Sequence, residues 1–490
     1  MNKPLRRIAL FCGLLVLALL IRDNWLQYVK ADELRTDPKN RRVTIERYAT
    51  PRGDIIVDGN PITGSTKSAS SDFAYKRSYK NGPMWAPVTG YVSQAFGASQ
   101  LENLNDGILT GNDDRLFFRN TLDMITGKKK QGGNVVTTLN GAAQKAAFEG
   151  LGDKKGAVAA IDPKTGAILA LASTPSYDPS SFAGNTNADA KAWNSLQKKN
   201  DPDDPMLNRA LRETYPPGST FKVVTAAAAL ENGLVPDADT NTDSPDPWTM
   251  PGTTTKLPNE GNLPCKNANL RVALKVSCNT VFGKIGSDLG NDKMLEEAKK
   301  FGFGSEQFTP VRSSASVFSD GMNKSQTALS SIGQYNTAAT PLQMAMVASA
   351  VANDGTLMKP YMVSELSTHN LDVIEHTDPE KLSRPLSEKN AQVLQSMMET
   401  VIKPGGTGTR AAIPGYTVGG KTGTAQHGID NSEKPYAWFI SYVKLPDGSS
   451  PVAVAVVVED GSANRDDISG GGLAAPIARD VMKAVIDSKK

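Results

Sequence analysis

The sequence predicts an α+β protein: an antiparallel sheet built from segments far apart in the chain and covered by helices, preceded by an extended module and one membrane-spanning helix. Three observations predict it. A run of fourteen apolar residues, "IALFCGLLVLALLI", follows the basic start "MNKPLRR". The stretch "GAVAAIDPKTGAILALAS" reads as two apolar strands around a tight turn, and three more strand-like runs, "YTVGGKTGTAQ", "YAWFISYVKL" and "PVAVAVVVED", stand near the other end. Between them lie alanine-rich segments of helical character, such as "FKVVTAAAAL".

The apolar run, Ile8 to Ile21, covers only about 21 Å as a helix, against roughly 30 Å of hydrocarbon. The Pro4 to Arg7 and Trp25 to Val29 flanks complete a span, with Arg6 and Arg7 snorkelling and Trp25 and Tyr28 at the interface. The leading flank is basic and the trailing flank mixed, which places the N-terminus in the cytoplasm and the bulk of the chain outside it. An uncleaved anchor over residues 1–30 is expected. Cleavage as a signal peptide near Val29-Lys30-Ala31 is the competing outcome.

Residues 31–150 read as a non-catalytic linker or pedestal module. "RRVTIERYATPRGDIIVDGNPITG" suggests short alternating strands broken at Pro51, Gly53 and Asp58-Gly59, and "TTLNGAAQKAAFEGL" an amphipathic helix. Residues 151–490 form the main domain: the hairpin turning at Asp162 to Gly166, a helix from Ser219 to Leu230, the three late strands with the turn "LPDGSS", and a closing helix over Ala474 to Val485.

Hydrophobic residues are 39% and charged residues 21%, with 43 Gly and 30 Pro, a loop-rich folded composition. Fifty-four basic residues balance fifty-one acidic ones, so nothing argues for a nucleic-acid partner. Three histidines (His369, His376, His427) and three cysteines (Cys12, Cys265, Cys278) are scattered and form no ligand pattern, so a metal site built on His and Cys is not expected, while carboxylate sites stay open.

The chemistry begins at "LRETYPPGSTFKVVTAAAAL". Pro216-Pro217-Gly218 breaks regular structure, and Ser219 then opens a helix with Lys222 one turn on and on the same side. A serine hydroxyl needs a neighbour to take its proton, and an amine does so when burial and nearby positive charge depress its pKa. Ser-x-x-Lys alone carries little weight, since about two copies arise by chance in such a chain. Two companions give it weight: Ser277-Cys278-Asn279, and Lys421-Thr422-Gly423-Thr424 in a strand setting. Lys-Thr-Gly is expected only about 0.2 times by chance.

With these three motifs in this order the chain resembles the class B penicillin-binding proteins, monofunctional D,D-transpeptidases of the actinobacterial type. "RYATPRGDIIVDG", "NRALRETYPPGSTFK", "AAIDPKTGAILALAS" and "ATPLQMAMVASAVANDGTLMKP" extend the resemblance over nearly the whole chain. It implies a serine transpeptidase/β-lactamase-like fold and a dimerisation-like N-terminal module, without a separate glycosyltransferase segment. It also implies roles. Ser219 attacks the penultimate D-Ala carbonyl of a peptidoglycan stem peptide, Lys222 is the acylation base, and Ser277 relays the proton to the leaving D-Ala. Asn279 holds Lys222 and a substrate amide, and Lys421 supplies positive potential. Thr422 and Thr424 bind the terminal carboxylate beside Gly423, and the N–H groups of Ser219 and Thr424 form the oxyanion hole. β-Lactams are implied as covalent inhibitors, and no cofactor is expected for the acyl transfer. A SEDS-type glycan polymerase and divisome or elongation membrane proteins are implied as neighbours.

Other readings stay open at this point. A D,D-carboxypeptidase or β-lactamase of the same superfamily would pass the acyl group to water. A β-lactam sensor or cell-wall scaffold would not turn over. Cys265 and Cys278, thirteen apart and outside the membrane, either form a disulfide pinning the Ser277 loop or remain free thiols. Tyr335 in "SIGQYNTAAT" stands where many relatives carry a glycine, and reads as a packing residue.

Overall fold

The computed structural model describes residues 3–36, 40–68, 72–116, 131–426, 428, 432–459 and 468–490; His427 lies outside this set. Its centre is a five-stranded sheet in the order Thr417–Ala425, Tyr436–Lys444, Val452–Val458, Gly156–Ile161, Ile168–Thr174. All four pairings are antiparallel. Three of these strands come from the end of the chain and two from the start of the main domain. That is the split assembly expected from the sequence. Val452–Val458 is buried at every position, because helices cover both faces of the sheet.

The covering helices follow from their sequences. Gly141–Leu151 starts at Asn140, whose side chain accepts the Ala143 N–H, and packs with Ala475–Ser488 against one face. Pro341–Ala352 is capped by Thr340, with proline in its first turn, and is buried almost throughout against the middle strands. Glu388–Ile402, capped by Ser387, lies along Thr417–Ala425. Alanines in Lys222–Glu231 and Pro341–Ala352 let these helices sit fully buried among their neighbours.

Lys3–Tyr28 is one continuous helix of 26 residues with no buried residue. At 1.5 Å per residue it reaches about 39 Å, enough to cross a bilayer.

The N-terminal module departs from the sequence reading in two ways. First, it is not mostly extended. Arg41–Arg47 is a short helix where alternation suggested strand, and Gly82–Thr89, Gln100–Leu104 and Asp106–Thr110 are helical as well. Alternation over seven residues does not separate a strand from a short exposed helix, and no strand pairs with this segment among the described residues. Secondly, the module and main domain share a second five-stranded sheet, ordered Val373–His376, Val363–Ser367, Asn134–Thr137, Ile55–Val57, Asn60–Pro61. A hairpin from the middle of the main domain therefore completes the sheet of the N-terminal module, with Leu366 opposite Val135.

A buried ionic network fixes this module. Glu102, fully buried, accepts from Arg52 Nε at 2.7 Å and Arg77 Nε at 2.6 Å, while Arg52 also reaches Asp106 at 2.6 Å. Burial pushes the Glu102 carboxyl up, but the Arg77 and Arg52 guanidiniums outweigh it and hold the group below the usual carboxylate range.

Candidate active site

Ser219 lies in a tight turn of 3₁₀ helix, Gly218–Phe221, and the α-helix proper begins at Lys222. The sequence placed Ser219 within the α-helix itself. In a 3₁₀ turn, residues three apart eclipse, which stacks Ser219 and Lys222 on one side. Gly218 makes the turn possible with φ of +53°, the left-handed region that costs a side chain energy. A Cβ there would also crowd the Thr424 carbonyl at 3.1 Å. The turn is tied to the sheet by Trp438, whose indole N–H donates to the Pro216 carbonyl at 3.0 Å. Tyr215 packs edge-on against Tyr436 and Trp438 and donates to Glu459 at 2.6 Å.

The second motif occupies a hinge between two helices. Ser277 ends Leu270–Val276 in a left-handed conformation (φ +68°), and Asn279 opens Asn279–Leu289. A non-glycine residue held there is strained, as active-site residues often are. Asn259 fixes the second helix by accepting the N–H groups of Asn279 (2.6 Å) and Thr280 (3.1 Å) and donating to Thr280 Oγ1 at 2.9 Å. Cys265 and Cys278 are joined as a disulfide, with Cα atoms 5.6 Å apart, closing the loop between them onto the hinge.

The third motif lies on Thr417–Ala425, which is the edge of the central sheet among the described strands, with Gly423 opposite Trp438. A Cβ on Gly423 would stand 3.0 Å from the Pro217 carbonyl, so glycine lets the strand approach the Ser219 turn.

The three elements converge on the Ser277 hydroxyl. Lys421 Nζ donates to it at 2.9 Å and to the Thr422 carbonyl at 2.8 Å. Lys222 Nζ lies 3.2 Å from it, and donates to the Ser277 carbonyl at 2.8 Å and to Asn279 Oδ1 at 2.7 Å. Both lysines are completely buried. Burial, followed by the Lys421 charge, pushes the Lys222 amine well below the usual lysine range, and burial lowers Lys421 to about 7. A neutral Lys222 amine has two N–H donors, matched by the Ser277 carbonyl and Asn279 Oδ1, and one lone pair left to take a proton. Ser219, Ser277, Thr422, Gly423 and Thr424 line one cavity of about 370 Å³.

Every residue singled out in the three motifs is thus in or against one site. Sequence reasoning missed Thr407, whose hydroxyl lies 2.6 Å from that of Thr422, and the Pro258-Asn259-Glu260 turn. The runs "PGGTG" and "SGGG" were the only sign that backbone approaches the cavity at 405–407 and 469–471. Tyr335 is a correction: it is half exposed, at 50%, with φ of +57°, so this position is marked by a left-handed backbone conformation rather than by packing. Among the described residues no group of three or more His, Cys, Asp or Glu is placed to hold a metal ion.

Comparison with known proteins agrees with this geometry. Residues 156–483 match the penicillin-binding protein transpeptidase domain, and residues 52–135 the penicillin-binding protein A dimerisation domain. The chain is 40% identical over 497 residues to the peptidoglycan D,D-transpeptidase PbpA of Mycolicibacterium smegmatis, covering 99% of both chains. It is 39% identical over 500 residues to PbpA of Mycobacterium tuberculosis, covering 100% of both. The crystal structure of the M. tuberculosis protein superposes with a TM-score of 0.83 at 39% identity, over 90% of this chain and 100% of that one. Its penicillin G acyl-enzyme complex gives a TM-score of 0.82 at 39% identity, over 89% and 100%. The chain belongs to the penicillin-binding protein transpeptidase family, as a class B member closely related to the PbpA proteins of mycobacteria.

Proposed function

We propose that this protein is a membrane-anchored D,D-transpeptidase that cross-links peptidoglycan stem peptides through an acyl-enzyme on Ser219 and is acylated there by β-lactams. The observation that carries the assignment of roles is the meeting of two buried amines on the Ser277 hydroxyl, in the cavity that Ser219 lines.

Ser219 Oγ attacks the penultimate D-Ala carbonyl as its proton passes to the lone pair of neutral Lys222. The proton continues through Ser277 Oγ to the leaving D-Ala nitrogen, and the C–N bond breaks. Lys421 stays positive once an anionic carboxylate is bound, and Thr422, held by Thr407, and Thr424 supply hydroxyls to that carboxylate. The N–H groups of Ser219 and Thr424 stabilise the oxyanion from opposite sides, one on the Ser219 turn and one on the strand edge. An amine from a second stem then takes the acyl group, restoring Ser219.

The Lys3–Tyr28 helix supports a single-pass anchor over residues 1–30 with a cytoplasmic tip, on the basic flank of its N-terminal end. Residues 31–150 then serve as a pedestal, and residues 151–490 as the catalytic domain outside the cytoplasm. A SEDS-type polymerase and divisome or elongation proteins as neighbours rest on family resemblance alone. The test is to incubate full-length protein in detergent with a D-Ala-D-Ala-terminated stem peptide and an amine acceptor, and to weigh the products. The expected result is a new amide with release of one D-Ala. Hydrolysis alone, at every acceptor concentration, would move the protein to the carboxypeptidases.

A further inference from the structure

Of the described residues lining the active-site cavity, Glu260 alone carries an ionisable side chain. It is exposed, and among the described residues it forms neither a hydrogen bond nor an ion pair. Its place is nevertheless fixed. Asn259, immediately before it, makes three hydrogen bonds to Asn279 and Thr280, and the Pro258 carbonyl accepts from Asn279 Nδ2 at 3.2 Å. The Cys265–Cys278 disulfide closes the same loop from its other end. A negative charge is thus held in the same cavity as Thr422 and Thr424, and its field reaches the buried Lys222 and Lys421 amines behind them, raising both against the larger downward effect of burial. A donor peptide ending in a carboxylate is repelled by Glu260 and attracted by Lys421, so the exposed Glu260 carboxylate suits a ligand of the other sign.

We propose that Glu260 is an acceptor-binding residue, recognising the ammonium group of the incoming stem-peptide amine and holding it against the acyl-enzyme. This rests on the acyl-enzyme reading above. Near neutral pH an alkyl amine arrives as R–NH₃⁺, and pairing with the carboxylate concentrates it in the cavity. It releases one proton to solvent. The resulting R–NH₂ attacks the acyl carbonyl, the C–N bond forms, the C–Oγ bond to Ser219 breaks, and the amine's second proton passes by way of Lys222 to Ser219 Oγ. Water needs no such recognition, so Glu260 biases the acyl-enzyme toward transfer over hydrolysis.

The experiment compares full-length native protein, Glu260→Gln and Glu260→Asp in detergent, acylated from an acyl-D-alanyl thioester and offered two nucleophiles. One is Nα-acetyl-lysinamide, whose only charge is its side-chain ammonium; the other is hydroxylamine, uncharged near neutral pH. The readout is the ratio of transfer to hydrolysis from the same acyl-enzyme, which does not depend on how fast that species forms. The Gln variant is expected to lose about tenfold in this ratio with the lysine amine, in the acceptor concentration required, and less than about twofold with hydroxylamine. The Asp variant is expected to recover most of the loss, and added salt to shrink the native preference. An equal loss with both nucleophiles would make Glu260 a shaper of the loop and overturn the proposal, and no loss with either would make it a solvated surface charge. Failure of the native protein to acylate at all would instead overturn the reading on which the proposal rests.

Discussion

Replacing Lys421 by methionine removes one of two amines buried without a carboxylate in hydrogen-bonding contact, and stability should rise as activity disappears. Burial lowers the Lys421 amine from 10.5 to about 7. A tenfold change in proton affinity is about 1.4 kcal/mol, so keeping this amine folded at pH 7 costs roughly 4 kcal/mol relative to the unfolded chain. The sign follows from proton counts. Between pH 7 and about 10 the unfolded chain binds the proton and the folded one does not, so native stability rises with pH; below pH 7 the whole cost applies. From pH 7 to 9 about 2 kcal/mol of it is recovered. The variant also loses donors to Ser277 Oγ and the Thr422 carbonyl, about 1 kcal/mol or more each, leaving a net gain of about 1 to 2 kcal/mol at pH 7. Relief of Lys222 from its neighbour's charge acts in the same direction. Thermal unfolding of full-length protein in detergent reads this out: the variant melts above the native protein at pH 7, and its advantage falls by about 2 °C by pH 9, which removes it. Acylation by benzylpenicillin meanwhile falls about 10² to 10³-fold. A variant that melts below the native protein, by a margin that does not change with pH, would mean that burial of the Lys421 amine carries no such cost.

Other outcomes follow from the same geometry. Glu102→Gln leaves the buried Arg52 and Arg77 guanidiniums without their shared anion, and should cost about 3 to 5 kcal/mol, read by thermal unfolding. Because Glu102 is held below the usual carboxylate range, its contribution is full above about pH 5 and is lost as pH falls through the unfolded value and then the lowered folded value. Removing the disulfide as Cys265→Ser with Cys278→Ser should cost about 3 kcal/mol, from the short loop it closes, and slow acylation by loosening the Ser277 hinge. The rate of benzylpenicillin acylation plotted against pH should fall on the alkaline side as Lys421, near 7, loses the charge that attracts the drug's carboxylate, with loss of affinity rather than of maximal rate.

The legible parts of the molecule were those with local or combinatorial signals. The Asp162 to Gly166 turn announced a hairpin because each flanking strand carries its own apolar run. Ser219, Lys222, Ser277, Asn279 and Lys421 stood out through three short motifs in order, and the fold then brings the Lys222 and Lys421 amines within hydrogen-bonding reach of the Ser277 hydroxyl, with Asn279 holding Lys222 and Ser219 lining the same cavity. What stayed hidden depends on distant contacts. The pairing of Leu366 with Val135 spans nearly half of the chain, and strands of three to five residues carry too little pattern to announce a partner. Thr407 and Asn259 were invisible for a related reason: a single polar residue in a loop gains its meaning only when Thr422 or Asn279 arrives from elsewhere. Tyr335 shows the reverse case, where the sequence marked a position and only its backbone angle explained it.

Every step proposed for this site starts from Ser219 as the acylating nucleophile. The most direct measurement is the intact mass of full-length protein in detergent before and after benzylpenicillin, with Ser219→Ala alongside. The native protein should gain a stable adduct of one drug molecule, and the variant none. An adduct of equal yield on both, or an unmodified native protein with the drug left intact, would contradict that role for Ser219.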